Sequence, residues 1–446
     1  MENYILKGNL CYSEDQNHIR LVPNGYLVCV DGRSAGVFET LPERYAALPV
    51  VDYGDRLIIP GLTDLHIHAP QFAFRGLGMD MELLDWLNTY TFPEESKYAE
   101  MEYAQRAYSQ FAAHLRRSAT TRAGVFATLH LPATEYLMRE LERSGLVSYV
   151  GKVNMDRNSP DYLREKDACT ALEDTERWIC ETKDAFAHTH PILTPRFIPS
   201  CSDELLRGLR ELRERYDLPV QSHLSENFGE IAWVSELCPQ AKFYGDAYDR
   251  FGLFGSDHRC IMAHCVHSGE EEIERMRENG VFVAHSPMSN ANLASGVAPV
   301  SKYLARGLKV GLASDVAGGE TENMFRVMAD AIRDSKLRWR LLDQSVAPLT
   351  VDQAFYIATL GGGSFFGPVG TFAQGYAFDA LVLDDRRYPT GMVSSGEGYE
   401  LDAVVLDDTA LDHPQELTLR ARLERCIYLA DERQVHAKYA AGRKIF

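Results

Sequence analysis

The chain has no run of about 18 apolar residues, so no membrane-spanning helix is expected. It also lacks an excess of basic residues: 46 Lys and Arg stand against 64 Asp and Glu, a formal net charge of −18. That balance repels polyanions and argues against nucleic acid or an anionic membrane as a partner. The nine cysteines include no Cys-x-x-Cys pair and are odd in number, which speaks against a disulfide framework. Reduced thiols, most of them small core residues, in a cytoplasmic enzyme fit this usage. The opening residues MENYILKGNLCYSEDQ show no basic segment followed by an apolar core, so no secretory leader is expected. No P-loop, dinucleotide glycine fingerprint or Gly-x-Ser-x-Gly elbow is present. The His-x-Glu and Pro-Cys-x-x-Cys pairing of cytidine-deaminase zinc sites is missing as well. Internal repeats and low-complexity segments are absent.

What is there is ordinary globular composition, 45% hydrophobic and 25% charged over 446 residues, enough for a large core and an accessory layer. Two textures alternate. Residues 1 to about 56 read as short strands and turns, as do Tyr376–Leu383, Ala403–Leu406 and a closing hairpin in VHAKYAAGRKIF. The middle alternates apolar runs with amphipathic segments, as repeated β-α units do. Candidate strands there are residues 61–68, 123–128, 147–153, 192–194, 220–223, 260–264, 281–285 and 310–314. Between them, Asp203–Tyr216, Glu270–Glu278 and Glu322–Arg333 carry helical spacing. Eight such units predict an α/β fold, a (β/α)8 TIM-type barrel over residues 59–368. A small β-sandwich built from both termini, residues 1–58 and 369–446, is expected beside it.

The barrel reading centres on LIIPGLTDLHIHAPQ, residues 57–71. Strand side chains alternate faces, so His66 and His68 point the same way with Ile67 opposed. A bare His-x-His is more often polar surface than metal ligand. Here, however, other reactive residues fall at the ends of the proposed strands: Arg196 and Phe197, His223, His264, His285 and Asp315. Taken singly, His264 or His285 could be a core histidine and Asp315 a helix cap. Their recurrence at the face where barrels carry active sites favours a site. Three histidines and a carboxylate suit a zinc-class cation. Glu226 could be a first-turn acid favoured by the helix dipole or a proton carrier beside a metal. His188-Thr189-His190 is a second His-x-His, but it precedes the fourth strand on the opposite face and is set aside. Lys152 lies inside the third strand, while Pro195-Arg196-Phe197 occupy the fourth strand's end, where two-metal relatives carry a bridging lysine. One ion is therefore favoured over two.

Together PGLTDLHIH, His223, His264 and Ser314-Asp315 resemble the amidohydrolase superfamily. HIHAPQ, LLDWLNTYTFPEE, GKVNMD, TPRF, QSHLSEN and SDVAGG resemble its guanine deaminase branch. The similarity runs from about residue 57 to 365 and more loosely through both ends. Ser286, where a cysteine is common, and Met288 depart from the pattern; neither is expected to touch a metal. The resemblance implies one zinc per chain held by His66, His68, His223 and Asp315. It makes Glu226, Asp315 and His264 the catalytic groups, with His264 bonded to the attacking water. Gln71, Arg196, Phe197, His223 and Glu226 are the implied substrate contacts. The implied reaction is hydrolytic deamination of guanine to xanthine and ammonia by a cytoplasmic homodimer. Alternatives are deamination of a pterin or 8-oxoguanine, cyclic-amide hydrolysis, or a catalytically silent binding protein on the same fold.

Overall fold

The computed structural model describes residues 3–385, 393–395, 398–400 and 417–446. Eight parallel strands organise its middle. Leu62–His68, Thr120–Phe126, Val147–Gly151 and Thr189–Pro191 form one four-stranded sheet in that order. Val220–Leu224, Cys260–His264, Phe282–His285 and Lys309–Leu312 form a second. A parallel bridge between Leu193 and Val220 links the two sheets. On the other side, Asp315 N–H donates to the His66 carbonyl at 2.9 Å and His68 N–H to the Val316 carbonyl at 3.0 Å. The last strand thus leads back to the first. Leu65, Ile192, Ile261, Ala263, Phe282, Ala284, Ala313 and Phe365 form one buried cluster. The α/β architecture is consistent with a TIM-type barrel.

The fourth strand departs most from expectation. Instead of Ile192–Thr194 there are two short pieces, Thr189–Pro191 and Thr194–Pro195. Pro191 and Pro195 each close a paired piece, opposite Val150 and Asn154. Between them Ile192 N–H donates to the Val150 carbonyl at 3.0 Å while Leu193 N–H turns to the Pro219 carbonyl at 2.9 Å, so the strand changes partners. The helices between strands follow their apolar spacing closely. Asp203–Tyr216 buries Leu205, Leu206, Leu209 and Leu212, is capped by Ser202, whose hydroxyl accepts from Leu205 N–H, and stops at left-handed Asp217. Glu270–Glu278 has the bounds expected, while Met324–Leu341 runs eight residues beyond the segment read from sequence.

Both termini join in one seven-stranded sheet. Its order is Arg443–Lys444, Val435–Ala440, Ala380–Leu383, Val50–Pro60, Tyr4–Ser13, Ile19–Val30, Arg33–Phe38. Among the described residues Val393–Ser395 and Gly398–Glu400 pair in a separate two-stranded sheet. Alternation along the strands of the larger sheet explains how it packs. Leu6, Ile58, Val382 and Ala437 build a small core of their own. Leu57, Ile59, Leu381 and Leu383 instead join the main core. The closing hairpin turns at Ala441 and Gly442, with φ of 48° and 76°. A Cβ on Gly442 would lie 2.3 Å from Gly32 Cα, so only glycine fits there. Lys438 Nζ fastens this sheet to the helix Met101–Arg117, donating to the carbonyls of Leu115, Arg116 and Ser118 at 2.9–3.0 Å. The expected strand Ala403–Leu406 lies outside the described residues.

Candidate active site

At the C-terminal end of the strand Leu62–His68, alternation aims both imidazoles inward. His66 Nε2 and His68 Nε2 lie 3.1 Å apart, and His68 Nε2 lies 3.3 Å from His223 Nε2. Asp315 Oδ1 sits 3.0 Å from His66 Nε2 and 3.5 Å from His68 Nε2. The four expected ligands fall in two overlapping groups that share His66. His264 Nε2 is 3.4 Å from Glu226 Oε2 and 3.8 Å from Asp315 Oδ2. His264 and Asp315 hold left-handed backbone, φ 71° and 48°, a strained conformation that surrounding contacts must enforce. For Asp315 those contacts include its N–H to the His66 carbonyl and its carbonyl to Gly319 N–H at 2.7 Å.

Burial sets the charges. Desolvation lowers the pKa of His66 and drives those of His68 and His223 well below the usual range, so their lone pairs stay free. Desolvation alone would raise Asp315, but His66 and His264 beside it outweigh burial and hold the carboxyl ionised, below its ordinary range. Glu226 goes the other way. Burial, then the Asp315 charge, raises its pKa well above the carboxylate range. Burial and charge thus push two neighbouring carboxyls in opposite directions, Asp315 down and Glu226 up.

The donor set fits a metal. The Nε2 atoms of His66, His68 and His223 stand close to one another, with the Asp315 carboxylate beside the first two, a donor set of the kind a zinc-class ion takes. His66 with His68 and Asp315, and His66 with His223 and His264, bring ligand atoms within 4.8 Å. The buried Nδ1 atoms of His66 and His68 have no hydrogen-bond partner in the protein. His223 Nδ1 donates to the Arg196 carbonyl at 2.6 Å, which leaves its Nε2 for a ligand bond.

One pocket opens onto this cluster. His68, Gln71, Arg196, Phe197, His223, Glu226, His264 and Asp315 line it, so every expected site residue is brought together except His66, which lies behind at 0% exposure. Leu83, Trp86, Leu87 and Leu293 supply apolar walls. His285 is buried at its strand end with neither ring nitrogen bonded to protein, outside both ligand groups. His190 lies in the strand Thr189–Pro191, where it pairs with Tyr149 toward the far end of the sheet, and joins no ligand group among the described residues. Lys152 is buried in an ion pair with Glu165. Ser286 and Met288 do not line the pocket.

Sequence reasoning missed four residues. Asp64 accepts from His66 N–H at 3.3 Å, Ser314 N–H at 3.0 Å and Ser314 Oγ at 2.5 Å, tying the first strand to the last. Burial raises its pKa to about 7. Asn290 Oδ1 accepts from His264 Nδ1 at 2.9 Å, which fixes Nε2 as the nitrogen facing Glu226. Glu230, in the pocket wall, accepts from Glu226 N–H at 3.1 Å and Tyr244 hydroxyl at 2.7 Å. Glu95 binds both Arg196 and Gln71. Asp64 stands within the PGLTDLHIH signature and Glu95 ends LLDWLNTYTFPEE, but Asn290 and Glu230 carry no spacing signal that marks them.

Comparison with known proteins agrees with this geometry. The amidohydrolase family matches residues 57–438. Guanine deaminase of Dictyostelium discoideum is 33% identical, covering 99% of this chain and 98% of its own. That of Escherichia coli is 33% identical over 96% and 92%. The crystal structure of guanine deaminase from C. acetobutylicum with guanine bound in its active site is 45% identical. It superposes with a TM-score of 0.91 over 100% of both chains. The chain belongs to the amidohydrolase family, and within it is similar to the guanine deaminases.

Proposed function

We propose that this protein hydrolyses guanine to xanthine and ammonia with one zinc ion per chain. In this reading residues 59–368 form a closed (β/α)8 catalytic barrel, and residues 1–58 and 369–446 an accessory β-domain. The protein works as a cytoplasmic homodimer. The observation that carries the reading is the pair of ligand groups sharing His66, one with His68 and Asp315 and the other with His223 and His264, beside the buried Glu226, whose pKa burial raises. Similarity to a guanine-bound deaminase over the whole chain supports the choice of substrate.

His66, His68, His223 and Asp315 would hold the ion. Bound there, a zinc-class ion supplies a water activated to attack at neutral pH. Glu226 donates its proton to the ring nitrogen beside the amine-bearing carbon, which makes that carbon electrophilic. Asp315, held ionised, accepts the proton released by the attacking water at Oδ2, with His264 Nε2 orienting that water. Asp315 passes that proton to the amine, ammonia leaves, and the added hydroxyl returns its proton to the emptied Glu226 as the ring carbonyl forms. Arg196 and Gln71 donate to the acceptors of the ring, Phe197 borders its face, and Leu83, Trp86 and Leu87 exclude water. Removing the metal with a chelator should abolish turnover of guanine, and adding one equivalent of zinc should restore it. Full activity in metal-free protein would refute the reading.

A further inference from the structure

Resting on the deaminase reading, we propose that Glu95 is a positioning residue that fixes Arg196 and Gln71 as a wall offering only donors. This wall selects a ring carbonyl over a ring amine at the end of the substrate it meets. Glu95 lies on the short helix Phe92–Ser96 and is 2% exposed. Its Oε2 accepts from Arg196 Nη1 at 2.5 Å and its Oε1 from Arg196 Nη2 at 3.1 Å. The same Oε1 accepts from Gln71 Nε2 at 2.9 Å. Arg196 and Gln71 line the pocket, whereas Glu95 stands behind them.

The consequence follows from donor and acceptor counting. Gln71 Oε1 is already taken by Ala317 N–H at 3.2 Å. Turning the amide over would press its oxygen against the Glu95 carboxylate and its NH2 against that N–H. Gln71 is therefore locked with its oxygen held on Ala317 and one N–H spare. Arg196 has no acceptor at all, and the two-point contact with Glu95 fixes the plane of its guanidinium. The Phe92 ring, 5.2 Å from the guanidinium carbon, restrains it further. A ring carbonyl or bare ring nitrogen satisfies such a wall. An exocyclic amine sets donor against donor and leaves buried N–H groups facing the ring without an acceptor, which enzymes reject strongly. Glutamine at position 95 removes the carboxylate, frees Gln71 to turn and loosens Arg196.

The test compares kcat/KM for guanine and 2,6-diaminopurine, which carries an amine in place of the carbonyl, in metal-loaded parent, Glu95→Gln and Glu95→Asp. The parent should prefer guanine by at least ~100-fold. In Glu95→Gln that ratio should fall at least tenfold, mostly through a higher KM for guanine, with metal content unchanged. Glu95→Asp, which keeps a shortened carboxylate, should fall between the two, and it decides alone if the glutamine variant does not fold. An unchanged ratio, even with both rates reduced, or loss of the metal in both variants, overturns the role of Glu95. A metal-loaded parent that releases no ammonia from guanine overturns the deaminase reading, and this proposal with it.

Discussion

The main-chain carbonyl of Arg196 accepts from His223 Nδ1 at 2.6 Å, so Arg196 orients a metal-cluster imidazole through its backbone while its side chain lines the pocket. The two jobs are separable by mutation. Arg196→Met keeps the carbonyl and should keep the metal. It should lose a charged hydrogen bond to the ring carbonyl, worth about 1.5–3 kcal/mol or roughly 10- to 100-fold in kcat/KM. The loss should appear with guanine and not with 2-aminopurine, which has no carbonyl. An unchanged ratio of the two would mean that Arg196 does not read that group.

Glu226 is placed to move a proton, at 3.4 Å from His264 Nε2, with Ser295 Oγ donating to its other oxygen at 3.3 Å. Glu226→Gln preserves the shape and removes the transferable proton. Turnover should drop roughly 10²–10⁴-fold while metal content stays at the parent level. A drop below tenfold would return Glu226 to the part of a helix-start acid.

Glu230 gives the fold a pH dependence. Burial, and then the nearby Glu226, raises its carboxyl from an ordinary 4.5 to about 7. Between those values the folded chain keeps a proton that the unfolded chain releases. This carboxyl therefore subtracts stability as pH rises from 4.5 through about 7, on the order of 2–3 kcal/mol. Glu230→Gln has no such proton to lose. Denaturant unfolding at pH 5 and pH 8 should show a smaller loss of stability in the variant than in the parent. Equal losses would show that Glu230 titrates normally.

Much of this site was legible because its chemistry rests on strand ends and strand alternation. His66 and His68 had to share a face, and His223, His264 and Asp315 closed strands that the apolar runs located. Glu95 ends the motif LLDWLNTYTFPEE, but its role was not legible. A glutamate after Pro93 at a helix start reads as a dipole-favoured surface acid, and only tertiary contact with Arg196, 101 positions away, gives it another meaning. Asn290 was hidden for the same reason, being 26 positions from the His264 it orients. The terminal strands were visible as strands, but nothing local says which of them pair. Tertiary contact decides that, as between Ala380–Leu383 and Leu57–Pro60.

The clamp between terminal sheet and barrel can be tested apart from catalysis. Lys438→Met leaves three buried carbonyls at the end of the helix Met101–Arg117 without their donor. The expected cost is about 3 kcal/mol of unfolding free energy, with kcat/KM of the folded protein unchanged. A variant as stable as the parent would show that the ammonium is not what joins the two parts.

The central claim is that the metal cluster and Glu226 serve a guanine ring. Ammonia release should be measured from metal-loaded protein with guanine, adenine, pterin, 8-oxoguanine and a cyclic amide at equal concentrations. Guanine should give stoichiometric ammonia and xanthine with the highest kcat/KM of the set. A pterin or 8-oxoguanine turned over faster than guanine, or ring opening of the cyclic amide with no ammonia from guanine, would contradict it.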